Sequence, residues 1–144
     1  MNEEPRLRVT AYGVIVRDGS VLLTRLSEAS PVFPPGVWHL PGGGMDPGEQ
    51  PCEALSRELA EEAGLPVLDA RLLDARSYLA ERNNVRWNVV SLLFGARVGD
   101  GEPRVIEVGG SSDAIEWVPL EEAKSRPLSP PARDGLELME SIRW

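Results

Sequence analysis

Glu58, Glu61 and Glu62 fall within five residues of one another, near the end of a segment with the composition of a short helix. On stability grounds they are badly placed. A helix C-terminus carries partial negative charge, so an acid there costs about 0.3–1 kcal/mol. Glu58 and Glu62 are also a like-charge i,i+4 pair, unfavourable by roughly another 0.2–0.5 kcal/mol. Carboxylates that break two local rules together point to work other than folding. The missing ingredient is a cation. Carboxylate oxygens on a rigid helix are hard ligands, suited to Mg²⁺ or Mn²⁺, and Glu58 and Glu62, one turn apart, are best placed to share an ion.

The helix that must carry them has legible limits. Pro51 suits the first helical position, where its missing N–H costs nothing. Gly64 suits the left-handed residue after the last turn, and Pro66 prevents continuation. Leu55, Leu59, Cys52 and Ala63 form an apolar stripe beside the acidic arc, with Cys52 read as a small filler on that stripe. Ala54, one turn before Glu58, leaves room for something to approach. Just upstream, Leu40-Pro41-Gly42-Gly43-Gly44 reads as a loop whose main chain a ligand can approach closely. Gly42, Gly43 and Gly44 can offer N–H groups to a phosphate or a carbonyl to a metal.

The segment from Gly43 to Leu65, GGMDPGEQPCEALSRELAEEAGL, resembles the signature box of the Nudix hydrolase family. Gly43, Glu49, Arg57, Glu58, Leu59, Glu61, Glu62, Gly64 and Leu65 meet that pattern without departure. The resemblance implies an α/β/α sandwich with a mixed sheet, the box forming a loop–helix–loop. It also implies metal coordination by the box glutamates, Glu58, Glu62 and Glu61, with a main-chain carbonyl near Gly42 or Gly43. Arg57 would orient a box glutamate together with Glu49, which is also suited to cap the helix start.

The chain has 144 residues, 42% hydrophobic and 26% charged, which fits one domain over 1–144. No apolar run reaches the roughly 20 residues that span a bilayer, and Met1 to Arg6 has no signal-peptide character. Cys52 is the one cysteine, so no intrachain disulfide forms and a cytoplasmic setting is expected. The net charge of −8 argues against gripping a nucleic-acid polymer, though not against a small phosphorylated substrate whose charge a metal neutralises. A homodimer is an expected assembly.

Pattern reading predicts strands over Val9 to Val16 and Val21 to Leu26 around an Asp18-Gly19-Ser20 turn. A proline-rich loop follows over Ser27 to Gly36, then a short strand over Val37 to Leu40. Long strands are expected at Val67 to Tyr78 and Arg86 to Val98, with Ala80 to Val85 polar and turn-like. Glu116 to Pro119 reads as a strand, Leu120 to Lys124 as a helical turn and Pro131 to Ile142 as a closing helix. On these elements lie further candidates. Arg25 could hold a phosphate and Trp38 could stack on a base. His39 is the single histidine, with catalytic and structural readings both open. Tyr12, Tyr78, Arg86 and Trp87 are candidate pocket residues on neighbouring strands.

Many Nudix hydrolases carry another acid before the late Trp-containing strand. Here Ser111 and Ser112 stand near that place. Asp113 or Glu107 is expected to substitute, or else the base comes from the box, as Glu61. The implied reaction is Mg²⁺-assisted attack of water on a phosphoanhydride. The resemblance's substrate markers, a proline about 15 residues after the box for ADP-ribose or a tyrosine slightly further on for dinucleoside polyphosphates, are absent. By elimination the expected substrates are nucleoside triphosphates or modified nucleotides. ADP-ribose or a nucleotide sugar is the alternative, a non-catalytic nucleotide-binding regulator another, and a prenyl-diphosphate isomerase, which shares the fold, a third.

Overall fold

The six consecutive residues from Thr10 to Ile15 are all buried, which demands cover on both faces of the strand that holds them. That strand, β1 (Arg6–Arg17), is the centre of a sheet with helices on either side. The computed structural model describes residues 4–105 and 109–141. β1 turns through Asp18 and Gly19, both at positive φ, into β2 (Ser20–Leu26), as a two-residue hairpin requires. β3 (Trp38–His39) and β4 (Gly42–Gly44) are short, and α1 (Pro51–Ala63) follows. Next come β5 (Val67–Arg82), β6 (Val85–Val98) and β7 (Ser112–Pro119), then α2 (Leu120–Ala123) and α3 (Pro130–Ser141).

The sheet runs β3-β2-β1-β6-β5, with β4 added to β1 and β7 to β2. β1 and β6 are parallel and the other pairings antiparallel, so the sheet is mixed. Successive residues divide between two cores. Ala11, Ile15 and Leu22 join Leu55 and Leu59 of α1, while Tyr12, Val14, Val21 and Leu23 join Ala132 and Leu136 of α3. The result is the expected α/β class with helices on both faces of the sheet.

Several local expectations need correction. The three glycines do not form a loop: Gly42, Gly43 and Gly44 pair with Tyr12, Ala11 and Thr10, so a neighbouring strand supplies the order their own propensity lacks. The polar stretch from Ala80 is strand up to Arg82, and the turn is only Asn83-Asn84, both at positive φ. Cys52 is exposed rather than filling the buried stripe, because the first turn of α1 extends past the core. Ala54 is fully buried, so it leaves no room for a ligand. The closing helix begins at Pro130, and Ile142 lies outside the described residues.

Gly42 tests how tightly β4 is held. Its φ is 132°, and a Cβ there would sit 2.1 Å from Ala11 O. Gly42→Ala therefore combines a disfavoured backbone region, costing about 1–3 kcal/mol, with a clash against main chain that cannot yield. The expected outcome is a loss of at least that size in the free energy of unfolding, measured by urea denaturation.

Candidate active site

Pro51 and Gly64 bound α1 as their chemistry predicts. Gln50 N–H donates to Glu53 Oε1 at 3.1 Å before the first turn, and Gly64, at φ 69°, donates to Ala60 O at 3.1 Å beyond the last. Glu49 does not cap this helix, as it was free to do. It lies before the cap, where Oε1 accepts from Asp46 N–H at 2.9 Å.

Arg57, in the middle of α1, gathers the site. Its Nε donates to Glu49 Oε2 at 2.8 Å and its Nη2 to Glu49 Oε1 at 2.9 Å, a two-point pairing of guanidinium and carboxylate. Nη2 also donates to Gly44 O at 3.0 Å. Nη1 donates to Glu58 Oε1 at 2.9 Å and to Glu61 Oε2 at 3.3 Å. One side chain thus joins the loop before α1, strand β4 and two of the three misplaced acids. Glu49 is pulled from an ordinary 4.5 down to about 2, chiefly by its hydrogen bond from Arg57 and then by the main-chain bond at Asp46.

The glutamates differ in setting. Glu62 is 8% exposed, while the side chain of Glu58 is 17% and that of Glu61 45% exposed. Glu58 lies directly against β4, where a Cβ on Gly43 would fall 2.8 Å from its carboxylate carbon. Gly43 therefore leaves the space that the carboxylate fills. In kind, Glu58 and Glu62 fit a hard divalent ion. In number they need water, main chain or substrate oxygens beside them, since among the described residues no three His, Cys, Asp or Glu side chains converge as a metal site.

Next to Gly42 and Gly43 opens a small cleft of about 40 Å³. Its polar lining includes Arg8, Tyr12, His39 and Ser111, and Pro31, Val32 and Phe33 lie in its apolar wall. The guanidinium carbon of Arg8 lies 3.1 Å from where a Cβ on Gly44 would be. The strand-start position of Arg8 concealed it in the sequence. Its signal was the alternation Arg8, Thr10, Tyr12, a polar edge on an otherwise apolar strand. Burial pushes the Tyr12 hydroxyl up to about 12, with Glu62 and Glu58 adding to the shift, so it remains a donor. Burial, helped by the charge of Arg8, lowers His39 to about 3. His39 is thus a neutral ring, hydrogen-bonded through Nδ1 to Ser129 Oγ at 2.5 Å and edge-on to Tyr12. The wall is tethered by Arg82, whose Nε donates to Ser30 O at 2.7 Å and Nη2 to Glu28 O at 2.9 Å.

Other sequence candidates lie elsewhere. Arg25 pairs with Asp113 at 2.7 Å on the surface, so neither lines the cleft; Ser111 does instead. Glu107 lies outside the described residues. Trp38 packs in the core beneath α3, with the Arg126 guanidinium 4.4 Å from its ring centre, and is not free to stack on a base. The Tyr78 hydroxyl donates to Asp134 Oδ2 at 2.6 Å, fixing β5 to α3. Arg86 and Trp87 lie toward the β5–β6 hairpin end, in a separate depression with Leu79.

A NUDIX domain family model matches residues 5–139. Nucleoside triphosphatase NudI of Escherichia coli O1:K1 / APEC is 44% identical over 63 residues, a stretch covering 44% of this chain and 44% of that protein. The chain thus matches less than half the length of these curated relatives. The MutT NUDIX hydrolase of Burkholderia pseudomallei is 33% identical, with a TM-score of 0.73 over 92% of this chain and 98% of that one. The MutT protein of Methanosarcina mazei Go1 is 25% identical, with a TM-score of 0.77 over 97% of each chain.

The Arg57–Glu49 pair makes a definite pH prediction. The folded pKa of Glu49 lies below its unfolded value, so the pair's contribution to stability is present above about pH 4.5 and is lost as the pH falls through about 2. In urea unfolding across that range, the stability difference between the native protein and Glu49→Gln should be largest above pH 4.5 and shrink toward pH 2.

Proposed function

The chain belongs to the Nudix family, and from that premise we propose that it is a metal-dependent pyrophosphohydrolase, one domain over 1–144, acting on nucleoside triphosphates or modified nucleotides in the cytoplasm. The observation that carries the proposal is the Arg57 hub, which holds Glu58 against Gly43 beside the cleft. The NudI relative, named a nucleoside triphosphatase, agrees with the substrate class.

Glu58 and Glu62 would hold Mg²⁺ or Mn²⁺, with Glu61 and the Gly43 carbonyl nearby. When bound, that ion supplies charge neutralisation for the diphosphate and for the leaving phosphate. The chain's own groups do the rest. Arg8 takes the phosphate role first assigned to Arg25, since it lines the cleft beside Gly42 and Gly43. Tyr12, held protonated, can donate to a substrate oxygen. Main-chain groups of Gly42 and Gly44 would bound the phosphate end, with Val32 and Phe33 backing the apolar wall of the cleft. Glu61, half-exposed and oriented by Arg57, accepts the proton of the attacking water as its oxygen bonds to phosphorus and the phosphoanhydride bridge breaks. His39, neutral and tied to Ser129, and Asp113, tied to Arg25, take no part in that transfer. Net charge −8 agrees with a small ligand rather than a nucleic-acid polymer. Among the described residues no helix is long and apolar enough to cross a membrane. A homodimer is part of the same reading.

Phosphate and pyrophosphate release from a panel of nucleotides, with and without Mg²⁺, tests the proposal. Turnover should vanish on chelation and return with Mg²⁺. Glu62→Gln should keep the native circular dichroism and lose at least about 10²-fold in kcat. Undiminished turnover in that variant would remove the metal assignment, and silence across the panel with retained nucleotide binding would favour a regulator. Arg8→Ala should raise KM more than it lowers kcat, the mark of a group that binds ground state and transition state alike.

A further inference from the structure

Strand β5 is an edge of the sheet, with β6 as its partner among the described residues. It runs for 16 residues, none of them buried, where about 5–6 is usual. Leu68, Leu72 and Leu79 stand 61%, 52% and 73% exposed. A long edge with open main-chain groups and exposed leucines accepts another strand unless something prevents it. Charges of a single sign would prevent a second copy from pairing there. β5 carries both signs, as Asp69, Arg71, Asp74 and Arg76.

Their placement depends on an irregularity in the strand. Asp69 lies opposite Arg97 of β6, Arg71 opposite Gly95, Asp74 opposite Leu93 and Arg76 opposite Ser91. Those partners are two residues apart each time, so all four side chains leave the same face. Even spacing along β5 itself would not achieve this. The register shift between Leu72 and Asp74 absorbs the extra residue and brings the two Asp/Arg pairs into phase.

Along that face the signs run minus, plus, minus, plus, an order that is its own complement about Leu72. In an antiparallel second copy centred there, with Leu73 of each copy outside the ladder as it is against β6, Asp69 faces the copy's Arg76, Arg71 faces the copy's Asp74, and Leu72 faces its own counterpart. Moving the centre to Arg71 sets Asp69 against Asp74, and moving it to Asp74 sets Arg71 against Arg76, both like-charge pairs that repel. We propose that β5 is the interface of a homodimer, paired antiparallel with β5 of a second copy about a two-fold axis at Leu72. This rests on the homodimer part of the functional reading and on none of its chemistry. Asp74 already pairs with Arg76 at 3.0 Å and Asp69 with Arg97 at 3.4 Å. The charges therefore choose the register, while main-chain hydrogen bonds and the burial of Leu72 against its counterpart supply the affinity.

Sedimentation equilibrium of the full chain over a concentration series is the test. The native protein should dimerise. Leu72→Lys, which sets two like charges at the axis, and Arg71→Glu, which sets an acid against Asp74, should each weaken the dimer by about tenfold or more. Both sites are exposed, so the fold should survive, as circular dichroism would check. Arg71→Glu combined with Asp74→Arg should recover the dimer. A native protein that stays monomeric overturns the homodimer itself. A dimer indifferent to Leu72→Lys and Arg71→Glu keeps the homodimer but overturns β5 as its surface.

Discussion

A single guanidinium organises the acidic end of this molecule. Arg57 satisfies its donors with both oxygens of Glu49, with Gly44 O, and with Glu58 and Glu61. This answers two of the three acids crowded at the helix C-terminus, Glu58 and Glu61. Their charge is answered from within the same helix, one residue before Glu58 and four before Glu61. A lysine could offer the charge but not the planar fork that reaches three structural segments together. Removing the guanidinium would leave partly buried carboxylates facing one another, and unpaired charge in such a setting is far costlier than the pairing is favourable.

The sheet separates two kinds of support. On one side α1 seats the acids through Leu55 and Leu59, both fully buried, so the carboxylates stand on a floor with little freedom to shift. On the other side α3 is tied by Tyr78 to Asp134, and the segment leading into it by His39 to Ser129 and by Arg126 stacked on Trp38. β1 contributes to both sides, which is why Arg8 and Tyr12 reach the cleft while Ala11 and Ile15 pack beneath α1.

The helix and its chemistry were legible because their signals are local. Pro51, Gly64 and the spacing of Glu58, Glu61 and Glu62 need no tertiary information. β4 was illegible because three glycines have no strand propensity of their own and take their order from β1. Arg25, Trp38 and Tyr78 were misread for a different reason. In a sheet covered on both faces, alternation tells which residues share a side but not which side holds the ligand. Arg8 was missed because the cleft exists only once β1, β4 and the Ser27 to Gly36 loop are assembled. Cys52 was misassigned because helical phase says nothing about where along its length a helix leaves the core.

The bonds from Arg82 to the carbonyls of Glu28 and Ser30 carry a consequence for selectivity. They hold the main chain of the apolar wall in place, so in the proposed reading a ligand would meet a wall whose ordering costs little further chain entropy. A pocket of that kind sorts its ligands by fit on first encounter. Its preference could be retuned through Val32 and Phe33 while the acidic helix, and with it the reaction, is left untouched.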